Sequence, residues 1–449
     1  MRGEIFPEGS TVGVYGLGET GIALTKFLHD GNFSVVLFDD NPSGLVIKFA
    51  ESLGLEIHVP TAKSDLDGLL DGIDIFMPTP GLPDSHYIFK HVFNAGIPIR
   101  SEFDLAAQYD DRPLVAVTGT NGKTTVTMMI KEMLLYSDIK TEAVGDTEIP
   151  LIEAIGDRSI EKFVVEASSF RLGHSSYFQP DISVWLNFSP DHLDVHQNLQ
   201  AYEKAKASLW QNQSSGHIAI ANAEDEIVMR HLPNTGIVKT FGKNLGDNKL
   251  VDDYLILENE KLLHIEDLKR SSPHDISNAL AAAITARSAG AEISAIQKVL
   301  TEFVNLPHRI EFVGCKDGVA WYNDSKSTTP HSVIAAVMGF KNVILIAGGR
   351  NKGLDLRVLT CVQDHIKHLV AIGEASEEMV RVFDGSVPST EAVSMGEAVA
   401  IARHCSKDGD VVLLSPGCTS FDWYRNYADR GEDFKRTVRD LVGVENGDN

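Results

Sequence analysis

Cysteine is scarce: Cys315, Cys361, Cys405 and Cys418 are the only four, none forms a C-x-x-C pair, and all fall in the last third of the chain. That usage predicts reduced thiols in a cytoplasmic protein. Long apolar runs are missing too. Apolar stretches such as Val343 to Ala347 and Val411 to Leu414 are far too short to span a bilayer. The opening residues, MRGEIFPEGSTVGVYG, hold no apolar stretch of secretory-signal length and no small-residue cleavage site, so no signal peptide is expected. Positive charge is in deficit, with 40 Lys and Arg against 63 Asp and Glu and a formal net charge of -23. This argues against a nucleic-acid surface and against an anionic membrane surface, while leaving room for a local cationic pocket for phosphates. There is no internal repeat and no low-complexity tract. What remains is an ordinary globular composition, 43% hydrophobic and 23% charged, which supplies a core and excludes wholesale disorder.

The 449 residues are enough for two to four domains at roughly 150 residues each. Strand-like apolar runs alternate with helix-like segments through most of the length, which predicts α/β units with largely parallel sheets. Two breaks stand out. Tyr109-Asp-Asp-Arg-Pro113 is polar and precedes a fresh strand; Asn305-Leu-Pro307 follows a helical stretch and precedes strand-like Ile310 to Val313. They predict three domains, residues 1–111, 112–306 and 307–449.

Thr11 to Tyr15 reads as a strand running into Gly16-Leu-Gly18-Glu-Thr-Gly21, then a helix to about Asp30 and a second strand, Ser34 to Phe38, ending in Asp39-Asp40. This is G-x-G-x-x-G between a strand and a helix, a turn that lets a diphosphate approach the helix N-terminus. An acidic residue some twenty positions on, here Asp39, holds a ribose hydroxyl in such sites. Dinucleotide and UDP-sugar binding both fit, as does a tight turn with no ligand. Glu19 inside the turn opposes a diphosphate unless its side chain points away.

The second turn carries more information. The strand Leu114 to Thr118 leads into Gly119-Thr120-Asn121-Gly122-Lys123-Thr124-Thr125. Val126, Met129, Ile130, Met133 and Leu134 then repeat at helical spacing. Backbone N–H groups and the helix dipole favour phosphate at such a junction. Lys123 reaches the β- and γ-phosphates there, and the Thr124 hydroxyl ligates Mg²⁺. The general phosphate-loop pattern wants a glycine five positions before Gly122, where this chain has Val117. Glu166 ends the apolar strand from Phe163, and a carboxylate at that place beside the loop suits a Mg²⁺ ligand.

G-T-N-G-K-T-T resembles the ATP loop of the Mur ligases and their folylpolyglutamate synthetase relatives. The likeness runs on through E-A-S-S-F (166–170), N-F-S-P-D-H-L-D (187–194), Y-E-K-A-K (202–206), H-D-I-S-N-A-L-A-A (274–282), L-P-H-R-I-E (306–311), N-D-S-K-S-T (323–328), A-G-G-R-N-K (347–352) and L-S-P-G-C-T-S-F-D (414–422). The order and spacing resemble the family's D-glutamate-adding branch. The resemblance implies a Rossmann-like UDP-sugar domain, a central ATPase domain and a C-terminal Rossmann-like α/β domain that brings the amino acid. It implies ATP and Mg²⁺ as cofactors, UDP-N-acetylmuramoyl-L-alanine and D-glutamate as substrates, and a cytoplasmic enzyme expected to be a monomer. The folylpolyglutamate synthetases lack the N-terminal domain that Gly16 to Gly21 opens here. A nicotinamide-dependent dehydrogenase would leave the second loop unexplained. The rivals still open are a Mur-type ligase for another amino acid and a catalytically silent sensor on the same fold.

Residue by residue, the resemblance makes His192 a second-metal ligand and Lys206 a lysine carbamylated by CO₂, which turns a cation into an anionic metal ligand. It places Asn278 against adenine, and Arg309, Asp324 and Lys326 where the C-terminal domain meets ATP. Gly16, Gly18, Glu19, Thr20 and Asp39 fall in its UDP-sugar site, and Thr328, Lys352 and Ser420 in its D-glutamate site. Two positions depart from the family. Asp146 stands where G-N-x-G-x-P has asparagine, in a run that also lacks the second glycine, and Asp275 replaces the first asparagine of H-N-x-x-N. A carboxylate at 146 opposes an anionic substrate unless a metal or lysine compensates.

Overall fold

Each glycine turn read in the sequence ends a strand that belongs to its own sheet. The computed structural model describes residues 5–60, 66–147, 149–193, 195–269, 271–303, 307–351 and 354–443. The strands Thr11–Tyr15 (β1), Ser34–Phe38 (β2), Ile57–His58 (β3) and Ile75–Pro78 (β4) form a parallel sheet in the order β3-β2-β1-β4. Gly21 makes the first turn possible: a Cβ there would stand 2.0 Å from the Gly16 carbonyl oxygen. The strand and the helix Glu19–Asp30 meet through that contact, so the third glycine of the motif is a packing requirement.

Leu114–Thr118 (β5), Thr141–Gly145 (β6), Lys162–Glu166 (β7), Ile182–Trp185 (β8), Ile218–Asn222 (β9) and Ile237–Phe241 (β10) form the second sheet, all parallel, in the order β10-β9-β8-β5-β7-β6. The central strand β5 carries the phosphate loop at its carboxyl end, where open parallel sheets bind ligands. A small antiparallel sheet follows, Leu250–Val251 (β11), Tyr254–Leu257 (β12) and Glu260–His264 (β13). Both large sheets lie in one compact unit, Met1–Phe303. Phe103, Leu105 and Ala106 of the helix Glu102–Tyr109 share a buried core with Leu151, Ile152 and Ile155, so packing is continuous across the break at Tyr109–Pro113.

The second unit is Val304–Asn449. Its sheet comprises Glu311–Lys316 (β14), Val319–Asn323 (β15), Val343–Gly348 (β16), Ile366–Ile372 (β17), Ser389–Ala392 (β18) and Val411–Gly417 (β19), in the order β14-β15-β19-β16-β17-β18. Every pairing is parallel except the edge hairpin β14–β15. All six residues of β16 are buried, as a strand covered on both faces requires. Two cores flank this sheet, one around Trp321, Phe434 and Val438 and one around Val333, Leu345 and Phe383. The mostly parallel α/β architecture expected from the alternating pattern is thus the one observed.

Candidate active site

The phosphate loop turns on Gly122, which has φ +85 and precedes the helix Lys123–Leu135 without a side-chain cap. The helix therefore offers its first N–H groups to a ligand. Asn187 holds the loop in shape. Its side-chain oxygen accepts from the N–H groups of Thr120 (3.1 Å) and Asn121 (2.9 Å), and its amide donates to the Asn121 carbonyl at 3.1 Å. The sequence contained this residue at the head of N-F-S-P-D-H, yet nothing in its type marks it as a clamp. Asn278, in the helix Pro273–Ser288, lies against the same loop: a Cβ on Gly122 would meet its Oδ1 at 2.5 Å. Thr124 donates to Glu166 Oε1 at 3.0 Å, so two of the four expected metal ligands meet at the loop. Lys123 donates to the carbonyls of Gly119 (3.0 Å) and Thr120 (3.1 Å). Thr125 is buried below.

Lys206 reaches the same loop. It lies in the helix Leu199–Ala207, is 1% exposed, and donates to the Gly119 carbonyl at 2.7 Å. Its Nζ also sits 4.8 Å from the Tyr202 ring centre. Burial, and after it the charge of Lys123, pushes the Lys206 ammonium well below the ordinary lysine value, against the pull of Asp191 and Asp146. Lys204, two positions away on the helix, is exposed. His192 occupies the left-handed region at φ 54, a conformation that functional turns hold at some energetic cost. Its Nε2 lies 3.3 Å from Asp191 Oδ2, and Phe170 packs edge-on against its ring at 4.6 Å. Tyr202 OH pairs with Thr120 Oγ1 at 3.1 Å, tying the lysine's helix to the loop. Among the described residues no three His, Cys, Asp or Glu side chains form a metal cage. The donor set nevertheless fits Mg²⁺, which takes few protein ligands and completes its shell with phosphate oxygens and water.

The carboxylate at 146 is compensated by an arginine. Arg171 Nε donates to Asp146 Oδ1 at 2.9 Å, and Ser168 Oγ donates to the same oxygen at 3.1 Å. The rest of the guanidinium reaches Glu102, the Gly145 carbonyl (2.9 Å) and Thr20 Oγ1 (3.0 Å). Burial opposes its charge, but Glu102 and Asp146 outweigh that and hold its pKa above the usual arginine value. Asp275 is accommodated differently. It sits in the first turn of the helix Pro273–Ser288, where the dipole favours a carboxylate, and accepts from Ser272 Oγ at 2.5 Å.

At the first turn, Glu19 is exposed and so leaves the loop's interior. Gly18 caps the helix without a side-chain hydrogen bond. Asp39 braces the turn, its two oxygens accepting from Leu17 N (2.7 Å) and Asn41 N (2.9 Å). Thr20 is buried and faces Arg171. A cluster the sequence did not reveal stands beside it: Tyr15 OH donates to Asp40 Oδ1 at 2.7 Å, Tyr87 OH to the same oxygen at 3.2 Å, and His86 Nε2 lies 3.3 Å from Asp40 Oδ2.

In the second unit, Arg309 is flanked by two left-handed residues, His308 (φ 63) and Ile310 (φ 45). Asp324 offsets the strain of that loop by accepting from Ile310 N at 3.2 Å, and takes Ser415 Oγ at 2.7 Å. Burial pushes the Asp324 carboxyl up to about 6. Lys326 and Thr328 are half-buried on the same loop, and Ser420 is buried at the turn after β19. Lys352 lies outside the described residues.

Two outcomes follow. Removing one member of a buried ion network costs ~3–5 kcal/mol, so Arg171→Met should lower unfolding free energy in urea by about 3 kcal/mol or more, whereas Asp146→Asn, which leaves Arg171 with Glu102, loses far less; equal losses would contradict this. An unfolded aspartate releases its proton near pH ~4, the folded Asp324 near about 6. Between those values the folded state holds more protons, so this group's contribution to stability falls as pH rises. Asp324→Asn should flatten the stability–pH slope across that window by up to roughly 3 kcal/mol; superimposable slopes would refute the assignment.

Residues 117–286 match the Mur ligase middle domain, and residues 308–418 match the Mur ligase glutamate ligase domain. The chain is 34% identical to the UDP-N-acetylmuramoylalanine--D-glutamate ligase of Bdellovibrio bacteriovorus, over 95% of this chain and 96% of the relative. It is 34% identical to that of Syntrophus aciditrophicus, over 95% and 97%. Among solved structures it is similar to a pseudomurein peptide ligase type C from Methanothermus fervidus, with TM-score 0.62, 16% identity, and 96% and 100% of the two chains covered. It is similar also to MurF ligase from Thermotoga maritima in complex with ADP, with TM-score 0.61, 16% identity, and 97% and 96% covered. At those identities the structural likeness speaks for the fold alone, and the sequence likeness carries the kinship. The chain belongs to the Mur ligase family and, within it, to the family of UDP-N-acetylmuramoylalanine--D-glutamate ligases.

Proposed function

We propose that the protein is an ATP-dependent amide ligase that joins D-glutamate to UDP-N-acetylmuramoyl-L-alanine in cytoplasmic peptidoglycan precursor synthesis. The observation that carries this reading is the meeting of Lys123, the Thr124–Glu166 pair and Lys206 on one phosphate loop. A carboxylate is a poor electrophile for an amine and needs activation. Its oxygen attacks the γ-phosphorus of ATP, ADP leaves, and an acyl phosphate forms. The amine of D-glutamate then attacks the acyl carbon, loses a proton, and phosphate leaves.

The chain's own groups support each part. The Gly119 to Thr125 loop and its helix N-terminus bind the phosphates. Lys123 offsets charge on the phosphoryl group in transit. Thr124 and Glu166 would hold one Mg²⁺, and His192 with Lys206 a second. Bound there, Mg²⁺ supplies Lewis acidity and neutralises the converging anions. Lys206 suits a carbamate: burial and the charge of Lys123 disfavour its ammonium, and the deprotonated amine is the form that attacks CO₂, forming an N–C bond and releasing a proton. In this reading residues 1–111 take the UDP-sugar, 112–306 carry ATP, and 307–449 supply the amino-acid site around Thr328, Lys352 and Ser420.

Phosphate release with UDP-N-acetylmuramoyl-L-alanine and a panel of D- and L-amino acids tests this. D-Glutamate should be preferred, and Lys123→Ala should lower turnover by ~10²-fold or more. Preference for L-glutamate, L-alanine or L-lysine would assign the chain to another ligation step. No phosphate release with any of them would make it a silent sensor.

A further inference from the structure

The first glycine turn follows β1 and the phosphate loop follows β5, in different sheets of the first unit. One buried side chain, Arg171, links the two sheets. Its Nη2 donates to Thr20 Oγ1 at 3.0 Å, in the first turn of the helix Glu19–Asp30. The same nitrogen donates to the Gly145 carbonyl at 2.9 Å, and Nε donates to Asp146 Oδ1 at 2.9 Å, both at the carboxyl end of β6. That end is locked to the strand carrying Glu166: Asp146 N donates to the Glu166 carbonyl at 3.0 Å, and a Cβ on Gly145 would stand 2.4 Å from that oxygen. Glu166 accepts in turn from Thr124 of the phosphate loop. Direct contacts therefore run from Thr20 through Arg171, Gly145, Asp146 and Glu166 to Thr124.

Neutralising charge does not account for all of this. The ion-pair partners of Arg171 are Glu102 and Asp146, and a lysine, with three donors on one point charge, could pair with both. A lysine lacks the planar fork, which places further N–H groups on Thr20 and the Gly145 carbonyl at once. Thr20 is 8% exposed, and among the described residues its hydroxyl makes this hydrogen bond alone. A hydroxyl that accepts from a guanidinium keeps its own proton to donate. The helix it stands on begins at Gly18, which caps it without a side-chain hydrogen bond, and a Cβ on Gly18 would meet nothing within 4 Å. A diphosphate at that end takes the helix N–H groups and the Thr20 proton together.

The substrate of the proposed reaction carries its diphosphate at one end and its reacting carboxylate at the other. One molecule occupies both ends productively only where the two turns keep a fixed spacing, since a misplacement of ~1 Å at the reacting atoms is costly in rate. We propose that Arg171 is a positioning residue for the UDP-sugar substrate: it orients the Thr20 hydroxyl for the diphosphate and fixes the first glycine turn relative to the end of β6. The proposal rests on the reading of the first glycine turn as the UDP-sugar site.

Calorimetric binding of UDP-N-acetylmuramoyl-L-alanine to the full-length protein without ATP, together with steady-state kinetics in which each substrate is varied, gives the test. Thr20→Val and Arg171→Lys should each raise the Kd and KM of the UDP-sugar by ~10-fold, while the KM values for ATP and D-glutamate move by no more than ~3-fold. Thr20→Ser keeps the hydroxyl and should bind within ~3-fold of wild type. Because Arg171 acts through Thr20, the double variant Thr20→Val with Arg171→Lys should lie within ~3-fold of the weaker single variant, not at the ~100-fold product of independent effects. If Arg171→Lys does not fold, Thr20→Val and its rescue by Thr20→Ser decide. Unchanged affinity in Thr20→Val, a parallel rise in all three KM values, or a double variant near the product overturns the proposal. Wild-type protein that fails to bind the UDP-sugar overturns the reading of the first turn as well, whereas wild-type binding with unchanged variants overturns the role of Arg171 alone.

Discussion

The charge of a second lysine is strongly disfavoured where Lys206 lies. It is fully buried, it shares the Gly119 carbonyl with Lys123, and the neighbouring ammonium repels it. Asp191 and Asp146 pull the other way without prevailing. A cation there would also repel the Mg²⁺ ions a phosphoryl-transfer site has to hold. The rest of the first unit is arranged around this constraint. Tyr202 ties the lysine's helix to the phosphate loop, Asn187 fixes the loop, and Thr124 and Glu166 meet beside it.

Charge elsewhere is handled by pairing. Arg171 gathers Asp146, Glu102, Thr20 and the Gly145 carbonyl, so one guanidinium connects the first glycine turn with the end of β6. The aspartate that departs from the family's asparagine thereby sits in a neutralised environment. In the second unit two buried charges brace loops through hydrogen bonds to neutral groups: Asp324 accepts from Ile310 N and Ser415, and Arg430 donates to Ser325 and the Cys418 carbonyl.

The elements were legible because parallel strands covered on both faces read as apolar runs and their turns as glycines. Thr11–Tyr15, Leu114–Thr118 and the helix beginning at Lys123 stand where the pattern placed them. Of the edge hairpin β14–β15 only Ile310 to Val313 read as a strand, overlapping β14, and the small antiparallel sheet carries no such signal. The phosphate-loop residues were legible from local order alone. Arg171, Asn187 and Arg430 were not, because their meaning lies in partners distant in sequence: Arg171 meets Thr20 across 151 positions, and an arginine in a helix reads as solvated surface. Asp39 was read as a ligand contact, while its oxygens brace the turn itself.

The central proposal is that the buried Lys206, its ammonium disfavoured, becomes an anionic metal ligand by taking up CO₂. Carbon-13 NMR of the enzyme equilibrated with labelled bicarbonate tests it most directly. The account predicts a carbamate resonance in the wild-type enzyme that is absent from Lys206→Arg, with activity that falls in CO₂-free buffer and returns on adding bicarbonate. No carbamate resonance, together with full activity in CO₂-free buffer, would contradict it.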